Sequence, residues 1–143
     1  MNEYQRSVDV LANFEKYESK RYLIEKDSKL LKIYDRHKNE IFSDKAGYEE
    51  EISDYSVSPD EQYVAIGRTD IDREIYGGTG FLYLYDIETG KKSEIEHTMM
   101  HGIESVTFST DGKYIKVKPY MMPDVVWDFQ TGKIVRKFEF EGR

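Results

Sequence analysis

"VTFSTDGKYIKV", Val106 to Val117, and its near copy "YSVSPDEQYVAI", Tyr55 to Ile66, decide how this chain is read. In each, a strand-like run meets a tight polar turn and a second strand-like run follows at once. Val57-Ser58-Pro59-Asp60-Glu61-Gln62-Tyr63 aligns with Phe108-Ser109-Thr110-Asp111-Gly112-Lys113-Tyr114. The shared residues have a physical role. Ser and Asp side chains bond turn amides, proline pre-sets φ, and glycine accepts a positive φ. A tyrosine and aliphatic residues then re-enter the sheet.

A second element recurs. "LYLYDIETGK", Leu82 to Lys91, aligns with "DVVWDFQTGK", Asp124 to Lys133. "LLKIYDRHKNE", Leu30 to Glu40, is a weaker third copy in which Asn39 stands in place of the glycine. Each copy is a hydrophobic strand ending in Asp35, Asp86 or Asp128, then a turn, then another strand. Turns arrive about every 8 to 12 residues, the spacing of an all-β sandwich, barrel or propeller.

The paired motifs, F-S-x-D-G-K-Y and then hydrophobic-W-D-hydrophobic-x-T-G-K, resemble the blades of WD-repeat and related β-propeller proteins. Trp127-Asp128 stands where that family's Trp-Asp pair stands, with Tyr85-Asp86 and Tyr34-Asp35 as variants. The resemblance runs from Leu30 to Phe140 and implies a rigid platform for binding proteins. Two good copies and a partial third are too few to close a ring, which needs at least about four blades. The expected fold is therefore mainly β in one domain, 1–143. An N-terminal helix over 1–20 precedes antiparallel sheets resembling two to three blades over 21–143. The helix is read from Tyr4 to Tyr17, where Tyr4, Val8, Leu11 and Phe14 follow helical spacing, and it is expected to cap an open stack. "GRTDIDREIYGGTG", Gly67 to Gly80, carries four glycines and is expected to be one long exposed loop.

Composition narrows the function. Charged residues make up 34% of the 143, yet aromatics reach 14% with 12 tyrosines, which suits a folded domain with a wet surface. There are no cysteines, so disulfides and thiolate metal sites are excluded. The N-terminus lacks an apolar core of signal-peptide length and no later stretch approaches a membrane span, so a cytoplasmic location is expected. With 28 acidic against 21 basic side chains, the net charge of -7 disfavours phosphate backbones as direct ligands. It favours solubility or a basic partner drawn in by electrostatic steering.

Catalytic constellations are sparse. His97 and His101 in "HTMMH" lie four apart, but no zincin glutamate follows His97 and no third ligand is apparent. There is no Gly-x-Ser-x-Gly, and the Gly67–Gly80 stretch has neither phosphate-loop nor calcium-loop spacing. "KPYMMPD", Lys118 to Asp124, offers two methionines that either pack or form an adaptable contact. The expected protein is thus no enzyme and needs no cofactor or metal. It is read as a small acidic inhibitor that covers a basic partner such as a nuclease toxin. Bacterial immunity proteins are similar in these general respects, though not by motif. The expected contacts are Glu49, Glu50, Glu51 and Asp54 in "YEEEISDY", with Asp70, Asp72, Glu74 and Tyr76 on the loop. Acids interleaved with tyrosines suit basic proteins, because carboxylates pair with Arg and Lys while tyrosine adds contact area at low entropy cost. The alternative is an assembly module, a partial propeller completed by self-association. A sugar site built on Trp127 and tyrosines is a third reading, set against Trp127 as core.

Overall fold

The computed structural model describes residues 13–71, 78–95 and 101–137. Among these residues eleven strands follow in chain order: β1 (Leu23–Lys26), β2 (Leu30–Tyr34), β3 (Glu40–Lys45), β4 (Glu50–Val57), β5 (Tyr63–Asp70), β6 (Thr79–Asp86), β7 (Lys92–Glu94), β8 (Ile103–Phe108), β9 (Tyr114–Pro119), β10 (Val125–Asp128) and β11 (Lys133–Lys137). They form three antiparallel sheets, β1-β2-β3, β4-β5-β6-β7 and β8-β9-β10-β11. Every sheet is a meander in which chain neighbours are also hydrogen-bonded neighbours. Such local pairing needs only short turns, which the repeated motifs supply.

The middle sheet is buried on both sides. Val64, Ile66 and Tyr85 pack with Leu31, Ile33 and Ala46 of the first sheet. Ala65 and Leu82 pack with Val106, Phe108, Ile115, Val117 and Trp127 of the third. Hence β5 is apolar at successive positions from Val64 to Ile66 instead of alternating, the pattern of a strand covered on two faces. Gly67 continues this logic: a Cβ there would stand 2.8 Å from Val106 Cγ2. Only glycine lets β5 and β8 approach so closely.

The repeated turns are the same object built twice. Ser58 Oγ donates to Asp60 Oδ1 (2.6 Å), Gln62 N donates to Asp60 Oδ1 (3.0 Å), and Tyr63 N donates to Ser58 Oγ (2.9 Å). Ser109, Asp111, Lys113 and Tyr114 repeat this set at 2.6, 3.0 and 2.9 Å. Glu61 and Gly112 take the matching left-handed position, with φ of 60° and 77°. The Thr-Gly turns match as well, since Gly90 N and Gly132 N each donate 2.8 Å to the carbonyl of Asp86 or Asp128. In the third copy the left-handed residue is Lys38, φ 67°, not Asn39. That turn is one residue shorter, so Asn39 N instead reaches back to Asp35 Oδ1 at 2.9 Å. The repeat also extends to bulges that went unread in the sequence, between Ile52 and Asp54 in β4 and between Ile103 and Ser105 in β8.

The expected N-terminal helix is overturned. Its described portion, from Asn13 to Lys20, is non-helical, and no helix occurs among the described residues. Phe14 instead forms a bridge to Ser109, and Thr110 N donates to Asn13 O at 2.7 Å. Further along, Lys20 N and Arg21 N donate to Glu61 Oε1 at 3.1 and 3.0 Å. These partners come from turns of the third and second sheets. An isolated helix satisfies its own backbone and has no use for them, whereas an extended strap does. Residues 1–12, including Tyr4, Val8 and Leu11, lie outside the described residues.

The long-loop expectation is also corrected. Gly67 to Asp70 belong to β5 and pair with Leu82 back to Thr79. Of the expected loop only Ile71 to Gly78 falls between strands, and residues 72–77 lie outside the described set. Among the described residues no helix is long and apolar enough to cross a membrane.

Candidate functional site

The acidic stretch of β4 divides by strand geometry. Glu50 points into a charge network, accepting from Arg68 Nη1 at 2.9 Å and from Gly47 N at 2.9 Å. Arg68 also grips Asp44, with Nη2–Oδ1 at 2.8 Å and Nε–Oδ2 at 3.1 Å, and Lys92 Nζ stands 2.6 Å from Asp44 Oδ1. Burial pushes the Asp44 carboxyl up, but the bonds and charges of Arg68 and Lys92 outweigh it and hold it below the ordinary value. This network ties the first sheet to the second, so Glu50 is structural.

Asp54 is structural too. Its Oδ2 accepts from Val106 N at 2.7 Å and from Lys16 Nζ at 2.7 Å. Lys16 Nζ also donates to the carbonyls of Tyr55 and Val106, stitching β4 to β8 from the strap. Beside it Ser56 Oγ accepts from Phe108 N at 3.0 Å, and Thr69 Oγ1 accepts from Ile103 N at 3.0 Å. The backbone donors on the edge of β8 are therefore satisfied by side chains of the neighbouring sheet instead of by another strand.

Glu49, Glu51 and Asp70 remain. Their backbones come together where β4 begins and β5 ends, with Glu50 opposite Asp70, Glu51 opposite Thr69, and Ile71 N donating to Glu49 O at 2.6 Å, so Asp70 shares the face of Glu50 and Glu51 takes the other. Two exposed apolar side chains, Tyr48 at 93% and Ile71 at 47%, flank these acids. Sequence reading used the tyrosine only as part of a motif and passed over Ile71. An isoleucine closing an otherwise buried strand was the available signal. Asp72, Glu74 and Tyr76 lie outside the described residues.

The remaining candidates are placed as follows. His101 Nδ1 is 2.9 Å from Tyr120 O, and His97 lies outside the described residues. Among the described residues no three His, Asp or Glu side chains group to hold a metal. Trp127 is 1% exposed in the core against β9, so it offers no face to a sugar. Its indole Nε1 has no hydrogen-bond partner among the described residues. Met121 is exposed while Met122 packs on the core, dividing the "KPYMMPD" segment between surface and interior.

A cleft of about 900 Å³ opens between the second and third sheets, at the end that carries the two repeated Ser-x-Asp turns. Asp60 and Asp111 are among its lining residues, as are the apolar side chains of Tyr63, Leu84 and Phe129. Tyr63 and Phe129 meet edge to face with centroids 5.1 Å apart. Sequence reading assigned these aspartates to turn formation alone. The missed inference is that equivalent turns of packed sheets lie at the same end.

No family model matches the chain, and no curated protein matches it either.

Proposed function

We propose that the protein is a non-enzymatic, cytoplasmic binding module, an acidic inhibitor of the immunity type whose partner is a basic protein such as a nuclease toxin. One observation carries this reading: exposed Tyr48 and Ile71 flank Glu49, Glu51 and Asp70 along the chain, where β4 begins and β5 ends. Apolar anchors beside carboxylates suit a partner surface rich in Arg and Lys. The net charge of -7 would speed encounter with such a surface. Glu50 and Asp54 leave the contact set because Arg68 and Lys16 already engage them. The WD-like meanders serve, in this proposal, as a stiff frame presenting the strand end.

The test uses wild-type protein and a Tyr48→Ala/Glu49→Lys/Glu51→Lys variant as immobilised baits. A basic protein held by the wild type at low salt, released at high salt and absent from the variant is the expected result, with thermal melting unchanged. Equal retention by both baits would remove this surface from the account.

A second reading, an assembly module completed by self-association, draws on Leu23 and Ile41 of the first sheet, which are 49% and 38% exposed. A single-chain mass by light scattering at high concentration would exclude it.

A further inference from the structure

The cleft between the second and third sheets has a chemistry distinct from that of the β4/β5 strand end. Its two aspartates are held rigidly. Oδ1 of Asp60 is occupied by Ser58 and Gln62, and Oδ1 of Asp111 by Ser109 and Lys113. The Oδ2 atoms have no protein partner among the described residues. The turns that carry them nearly touch, for a Cβ on Gly112 would stand 3.7 Å from Pro59 Cδ. Two fixed carboxylates thus line one cleft, and among the described lining residues the one cation is Lys113, whose charge acts on Asp111. Nearby Asp86 and Glu88 add negative charge around the Tyr63 hydroxyl.

The rest of the lining includes apolar surface from Pro59, Tyr63, Leu84 and Phe129, with the Tyr63 and Phe129 rings edge to face. A compact ammonium would waste that surface, and a neutral ring would leave the carboxylates unpaired. A guanidinium uses both, since its plane stacks on aromatic rings while its fork bonds carboxylates, and its aliphatic stem covers apolar surface. The volume exceeds one side chain and leaves room for flanking backbone.

We propose that this cleft binds an arginine side chain presented by an extended peptide segment. The site does not depend on the strand-end reading, and the two fail separately. The probe is the blocked tripeptide acetyl-Gly-Arg-Gly-amide, titrated into the isotopically labelled full chain, with a citrulline analogue that keeps the shape and loses the charge. We expect saturable shifts of the Gln62, Lys113 and Gln130 amides. Citrulline should weaken binding about tenfold or more, as should Asp60→Asn/Asp111→Asn. Asparagine keeps the Oδ1 acceptor, so an otherwise unchanged spectrum certifies the fold of that variant. Glu49→Lys/Glu51→Lys should leave these shifts intact. No saturable shift, equal binding of citrulline, or shifts confined to other residues would overturn the proposal. A neutral sugar that outcompetes the peptide would also overturn it.

Discussion

Glu61 sits at a position its repeat partner fills with glycine, so its left-handed backbone must be compensated. The carboxylate does this by accepting from Ser19 Oγ, Tyr17 Oη, Lys20 N and Arg21 N. Burial pushes its pKa up, while the Ser19, Arg21, Tyr17 and Lys20 bonds outweigh that and leave it below the ordinary 4.5. Asp44 is likewise depressed below 3.8. A depressed folded value means the stabilisation is fully present above the unfolded value and is lost as pH falls through the folded one. Urea unfolding midpoints should therefore hold steady, as far as these two groups decide, from neutrality to about pH 5.5 and decline below about pH 4.5. Glu61→Gln should flatten part of that decline. Glu61→Ala should cost about 1–3 kcal/mol at neutral pH, since it strands the amides of Lys20 and Arg21. Matching acid profiles for wild type and Glu61→Gln would refute the assignment.

At the scale of elements, the seam between β8 and the second sheet is held by side chains where a continuous sheet would use backbone. Asp54, Ser56 and Thr69 supply the acceptors, and Lys16 supplies the donor. Asp54→Ala leaves the Val106 amide without its acceptor and Lys16 without its counter-charge. The expected loss is about 1–3 kcal/mol in a urea melt, with faster hydrogen exchange at Val106. Asp54→Asn, which keeps an acceptor, should retain most of the Val106 protection. Equal exchange rates in wild type, Asp54→Ala and Asp54→Asn would show that the seam is held by packing alone.

For the whole molecule, three sheets share two apolar layers and the middle sheet serves both. Gly67 marks a close approach of the second and third sheets. Gly67→Ala forces a methyl into Val106 and Ile103, branched side chains with little freedom to yield. A destabilisation of about 1–3 kcal/mol is expected, partly recovered by adding Val106→Ala. A Gly67→Ala protein as stable as wild type would mean that this interface can spread at little cost.

The turn chemistry was legible from residues alone. Ser58, Asp60, Ser109 and Asp111 act within their own turns, and local hydrogen bonding depends on local order in the chain. The strand runs and their antiparallel pairing were legible for the same reason. What lay beyond the sequence was every choice that required a distant partner. The stretch from Asn13 to Lys20 carries apolar residues compatible with a helix, yet Ser109, Thr110 and Glu61 offer its backbone better partners in three dimensions. The division of the acidic run was equally hidden. Glu50 and Asp54 are half-buried and ion-paired while Glu49 faces solvent, because Arg68 and Lys16 reach them only after the sheets have packed. Short-range hydrogen bonds and alternation were set by the sequence, whereas long-range pairing and the cleft arose from the stacking of the sheets.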